Sequence, residues 1–302
     1  MLGITCVAAN SSELGSETWQ QFADAVSGEW EGVTGTFDAH GQPQQLPEYY
    51  VPQAFREWGV ELYDWQSQCS MLASDSGLQY TLRRMMPSVG CEADATAFTE
   101  EAQHSLKTAT EQTGEAKTIM PNGSYSIGPR RLEGTARIES CLFTAEKQRI
   151  RMIHLLKQRP QSQDWALDSL ELHHERWDSP HTGRQELAGC GGGMPAFANK
   201  ARVTAEQVSG AWKVEEHRAY SLTADGAFEV SAASIGEVRQ HDNSEGRLLL
   251  PLGACSIVRG SGGDLRVVAG VVSDAGKMHV AARAYKAGQL QRVELTVESR
   301  SA

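Results

Sequence analysis

Three arginines lie close together in TARIESCLFTAEKQRIRMIHLL, residues 135–156: Arg137, Arg149 and Arg151. Alternate side chains of a strand share a face, so Arg149 and Arg151 point the same way, as do Arg137 and Glu139. Guanidiniums grouped on one face grip the carboxylate of an acidic ligand through paired hydrogen bonds, or pair with a carboxylate of their own chain. Inside a fold the second use needs a partner such as Glu139. Arg283 and Tyr285 share a face in KMHVAARAY, residues 277–285. Arg137, Arg149, Arg151, Arg283 and Tyr285 are therefore the candidate ligand anchors. Arg151 is expected at a pocket mouth, where its loss weakens binding and spares the fold.

Other reactive residue types do not assemble into a catalytic set, and no catalytic residue or cofactor is assigned. LELHHER (170–176) is the densest cluster, with Glu171, His173, His174 and Glu175. Adjacent histidines on a strand face opposite ways, and Glu171 with His173 makes two ligands, too few for a closed metal site. The expectation is a solvated strand end and no metal. Ser126 in GSYSIG lacks the G-x-S-x-G elbow. Cys141 has arginines near it in sequence, which would favour a thiolate, but its reading is a small core residue. The run Gly191–Gly193 lacks the G-K-[ST] ending of a phosphate loop and reads as a loop.

The elements that must hold these residues are short strands. Candidates are 64–72, 78–86, 117–121, 124–128, 135–143 and 148–156, then 211–222, 247–251, 254–259, 265–273, 277–285 and 290–299, with Gly, Pro, Asp and Ser punctuating most gaps. Residues 98–113 read as a polar loop or marginal helix. No helix-length crossover separates the strands, which argues for an all-β architecture.

The chain also repeats itself. PNGSYSI (121–127) returns as PLGACSI (251–257), SGEWEGVTGTF (27–37) as SGAWKVEEHRAY (209–220), and LELHHER as VELTVES (293–299). Three markers in the same order point to two units. At an offset of 130, the counterparts of Arg283 and Tyr285 are Ile153 and Leu155. The organisation expected is a loose tail over 1–16, a first unit over 17–177, a Gly-rich connector over 178–199 and a second unit over 200–302.

A length of 302 residues allows two cores, and a net charge of -10 disfavours nucleic acid and anionic membranes. No stretch is long enough for a spanning helix. Six scattered cysteines without C-x-x-C read as reduced thiols. LPEYYVPQAFREWGV, from residue 46, carries aromatics between prolines. Tyr49 and Tyr50 are candidate ligand or partner contacts there, while Phe55 and Trp58 are expected to fold back, on a short helix from Pro52 to Trp58.

SGEWEG, residues 46–69, PNGSYSIG and the R-x-R stretch followed by LELHHE resemble a plant, algal and cyanobacterial family of unknown function in the calycin superfamily, itself similar to the lipocalin-like lyases that attach bilins to phycobiliproteins. The resemblance implies two tandem lipocalin-like antiparallel β-barrels, with Trp30 and Trp212 of the two G-x-W sites closing the barrel bottoms. It also implies a chloroplast setting and a non-enzymatic carrier or assembly factor for a pigment or lipid-like molecule, with a chloroplast protein as partner. The alternatives are a bilin lyase or isomerase, and a ligand-free structural interaction protein.

Overall fold

The computed structural model describes residues 16–89, 98–106, 114–162, 164–183, 193–223, 228–231, 234–242 and 246–301. Helix α1 (Ser16–Val26) leads into β1 (Gly28–Asp38); a short helix α2 (Gln53–Glu57) follows. Next come β2 (Asp64–Ser74), β3 (Gly77–Met85), β4 (Phe98–Leu106), β5 (Glu115–Ile119), β6 (Tyr125–Pro129), β7 (Thr135–Ala145), β8 (Gln148–Gln158) and β9 (Trp165–Ser179). After α3 (Ala205–Val208) stand β10 (Gly210–Leu222), β11 (Phe228–Val230), β12 (Val238–His241), β13 (Arg247–Leu249), β14 (Ala254–Ser261), β15 (Asp264–Val272), β16 (Lys277–Lys286) and β17 (Gln289–Arg300).

The strands form two antiparallel sheets, and neither closes. The first runs β4-β3-β2-β1-β9-β8-β7-β6-β5, and its end strands β4 and β5 do not pair with each other. The second runs β11-β10-β17-β16-β15-β14-β13, with β12 alongside β10. The two tandem barrels expected from the sequence are therefore replaced by two open sheets, and the terms β-barrel, lipocalin-like and calycin do not describe them. The physical reason lies in the middle strands, which are apolar on a second face. Ile138, Leu142, Ile150, Met152, Leu170 and Leu172 of the first sheet pack into one core with Leu265, Val267, Ala281, Val293 and Leu295 of the second. A closed barrel would turn that face to water. Packing two open sheets back to back buries it instead.

The repeat is real in topology. In each sheet the first strand pairs with the last, β1 with β9 and β10 with β17, and the order then steps back to the strand before the P-x-G turn. Trp30 and Trp212 are both fully buried, and each donates its indole N–H to a carbonyl just before its strand, Val26 O at 3.1 Å and Ser209 O at 3.4 Å. The two P-x-G turns require glycine: φ is 95° at Gly123 and 70° at Gly253. A Cβ there would meet the Phe143 ring at 2.7 Å and the Val272 carbonyl oxygen at 2.2 Å. The serines that follow, Ser126 and Ser256, are both 0% exposed, and each reaches the opposite sheet. Arg283 donates to Ser126 Oγ at 3.3 Å, and His154 Nε2 lies 2.8 Å from Ser256 Oγ.

Strand register corrects the repeat alignment by one residue. His154 pairs with Leu170 and Arg283 with Val293, and those two partners correspond under the offset of 123 that aligns the last strands. The counterpart of Arg283 is thus His154 rather than Ile153.

Three further differences concern single segments. Residues 98–106 form the edge strand β4, where Arg83–Glu100 (2.9 Å) and Arg84–Glu101 (3.5 Å) bridge it to β3. Trp58 is 64% exposed and does not fold back. In the connector, Gly191 and Gly192 lie outside the described residues, but Phe197 and Ala198 are core residues whose N–H groups donate to the Asp64 carboxylate.

Candidate functional site

On β8 the odd-numbered side chains face the concave side of the first sheet and the even-numbered ones face the second sheet. Arg149 and Arg151 are therefore brought together on the concave face, both at 0% exposure. Glu175, directly across on β9, accepts from Arg149 Nε at 2.7 Å and from Arg151 Nε and Nη2, each at 2.8 Å. Glu139 on β7 accepts from Arg151 Nη1 at 3.1 Å and Arg137 Nη1 at 2.9 Å. Tyr80 and Tyr125 donate to the same carboxylate at 2.8 and 2.6 Å. The Arg149 guanidinium also lies 3.8 Å above the Trp30 ring.

The expected partnership of the arginines with Glu139 is present. Glu175 and His173 are not among the sequence candidates, since LELHHER has the pattern of a solvated strand end; both are buried, with Nδ1 of His173 2.8 Å from Thr34 Oγ1. The available signal was the register itself, which sets Arg149 opposite Glu175. Arg151 lies beneath the surface and not at a mouth. Arg137, with its side chain 32% exposed, is the member of the group that reaches the rim, near Glu101.

Electrostatics keep this network charged. Burial raises the Glu139 carboxyl, but Arg137, Arg151 and the two tyrosine hydroxyls outweigh it and bring it down to about 2. Glu175 is likewise held well below the usual carboxylate range, burial being overcome by Arg149 and Arg151. Burial pushes the Cys69 thiol up to about 12 and raises Cys141 as well, so neither is a ready nucleophile. Glu175 accepts three bonds, all from Arg149 and Arg151. The other N–H groups of Arg149 face the sulfurs of Met71 and Cys69, and burial closes the pair to an acidic ligand.

Arg283 is also occupied. It donates to the carbonyls of Ala116 at 3.2 Å and Gly128 at 3.1 Å, while Tyr285 donates to Pro129 O at 2.9 Å. These two side chains fasten the second sheet to β5 and β6 of the first. Tyr49 is 79% exposed, and its ring lies 4.1 Å from that of Tyr50, which meets Trp65 edge-on at 4.9 Å.

A cleft of about 870 Å³ opens elsewhere, at the helix-capped end of the first sheet. Its walls include α1, the β7–β8 turn and the end of β9, with Ala23, Leu72, Phe143 and Trp177 as apolar surface and His279 of β16 also in its lining. Helix α1 is fixed there because Trp19, Phe22, Ala23 and Val26 form one apolar stripe against Trp30 and Tyr125. Lys147 lies over the Trp177 ring at 3.9 Å.

Acid stability follows from these groups. Burial lowers His154 and His279 from 6.5 to about 4, so the unfolded chain takes up protons that the fold refuses across that window. Their contribution is complete above about 6.5 and shrinks as pH falls, by about 1.4 kcal/mol per pH unit for each fully buried group. The depressed carboxylates act in the same direction lower down. Their contribution is complete above the usual carboxylate range and is lost as pH falls towards about 2 for Glu139 and Glu171. Urea midpoints should therefore drop steadily from pH 7 to pH 4, and His154→Gln should flatten that slope. An unchanged slope in the variant would contradict the assignment of His154.

The fold and site define a class: an open, two-sheet antiparallel β protein with an ion-paired concave face and an apolar cleft at its helix-capped end. The same fold is found in a protein of unknown function from the DUF3598 family of Nostoc punctiforme. The two chains are 17% identical, with a TM-score of 0.54 over 94% of this chain and 99% of that one, a likeness of fold alone. An S-type phycobiliprotein lyase from Guillardia theta overlaps 54% of this chain and 93% of its own, at 10% identity and a TM-score of 0.32, too slight to carry an argument. No protein-family model and no curated protein matches the chain. Among the described residues no helix is long and apolar enough to cross a membrane.

Proposed function

We propose that the protein is a non-enzymatic binding protein for an apolar small molecule of pigment or lipid type, held in the cleft beside α1. The cleft itself carries this reading. Its volume of about 870 Å³ falls in the range of small-molecule sites, and its lining sets the apolar Leu72, Phe143 and Trp177 among polar side chains. The buried arginines serve the fold around it, since their carboxylate partners already neutralise them.

A second reading, a structural interaction protein, draws on the filled concave face and the exposed Tyr49 and Trp58. Titration with the uncharged dye Nile red separates the two. Saturable one-to-one binding is expected, weakened about tenfold by Ala25→Trp, which fills the cleft from α1. Absence of saturable binding, or equal binding by the variant, would favour the interaction protein.

A further inference from the structure

Among the described residues no side chain or backbone group bonds the ring of His279, at either Nδ1 or Nε2. The residue lines the cleft and is 7% exposed. Leaving one buried polar atom unsatisfied costs about 1–3 kcal/mol, and this ring leaves two. Its neighbours on the same strand face are put to use: Ala281 and Tyr285 pack in the core, and Arg283 is bonded. A buried group so disposed is available to a partner that enters the cleft.

Resting on the reading of the cleft as a binding site, we infer that His279 recognises an uncharged polar head that both donates and accepts a hydrogen bond, such as an amide, lactam or alcohol, on an otherwise apolar ligand. The argument is one of complementarity. A neutral imidazole presents an N–H on one edge and a lone pair on the other, and a head that can both donate and accept pairs with whichever edge faces the cleft. A carboxylate accepts alone, so it can pair only with the N–H edge, and the acidic lining of the cleft opposes it. Burial, with Lys277 adding to it, holds the imidazole neutral at physiological pH by lowering it to about 4. The surroundings also disfavour an anion. Asp24 and Glu146 line the same cleft, and the cation there, Lys147, is stacked on Trp177. The apolar walls of Phe143, Leu72 and Trp177 then take the rest of the molecule.

Competition against Nile red tests this with three ligands of one chain length, decanamide, 1-decanol and decanoate, at pH 7.5. An apolar cleft alone prefers a neutral head, so the decisive readout is the dependence on His279. His279→Leu is expected to weaken decanamide and decanol about tenfold while changing decanoate less than about twofold, and His279→Gln, which keeps a donor and an acceptor, should restore most of the loss. Nile red bound equally by wild type and His279→Leu shows that the cleft is intact in the variant. If decanamide binds both equally, or decanoate falls as far as decanamide, the head-group inference is overturned while the binding reading stands. Failure of the wild type to bind Nile red or any of the three ligands overturns both.

Discussion

Glu175→Ala is expected to destabilise the protein by about 3–5 kcal/mol, measured by urea unfolding at pH 7, because it strands two buried guanidiniums. Arg149 would keep the sulfurs of Met71 and Cys69 and the face of Trp30, and Arg151 would keep Glu139 and the face of Tyr80. Replacing both arginines and Glu175 together by apolar residues of similar volume should cost far less, since the charges then leave as a set. A single Glu175→Ala variant as stable as the parent would show that water reaches the network and that the site is not dry. The contrast between the single and the combined variant is therefore the sharper measurement.

Trp30→Ala should cost about 3–5 kcal/mol in the same assay. The indole is fully buried, its N–H is bonded to Val26 O, and its ring meets Phe143 edge-on with centroids 5.6 Å apart. Arg149 rests on its other side, so the substitution also removes the aromatic face beneath a buried cation. Because that coupling is direct, the losses from Trp30→Ala and Glu175→Ala should not add in the double variant. Additive losses would mean that the cation and the ring are energetically independent despite their contact.

Twelve of the seventeen described strands and their local alternation were legible in the sequence, because turn residues and period-two patterning are local properties. The partnership of Arg137 and Arg151 with Glu139 followed from the same alternation, whereas buried tryptophans at the two G-x-W sites were what the family resemblance implied. Closure was not. Whether β4 meets β5 depends on curvature summed over nine strands, and no local pattern records it. Strand β4 itself was hidden because FTEEAQHSL has weak strand propensity, and its pairing rests on charges supplied by β3. Helix α1 carried a readable signal in Trp19, Phe22, Ala23 and Val26, spaced at three and four residues, that the strand-centred reading passed over. His279 gave no sign of itself, because a histidine within a strand looks the same whether or not its ring finds a partner.

The reciprocal reach of His154 to Ser256 and of Arg283 to Ser126 has a consequence for how the molecule assembles. Matching patches that each grasp the other's counterpart are the contact pattern of a symmetric dimer, here drawn within one polypeptide. Two free halves would meet by a second-order collision whose yield follows protein concentration. Tethered, they meet at an effective concentration set by the connecting segment, and docking becomes first-order. Joining the sheets in one chain thus frees the fold from dependence on its own abundance. It also lets the two concave faces diverge, one filled with ion pairs around Glu175 and the other carrying Met278 and Val280 where the first has Arg149 and Arg151.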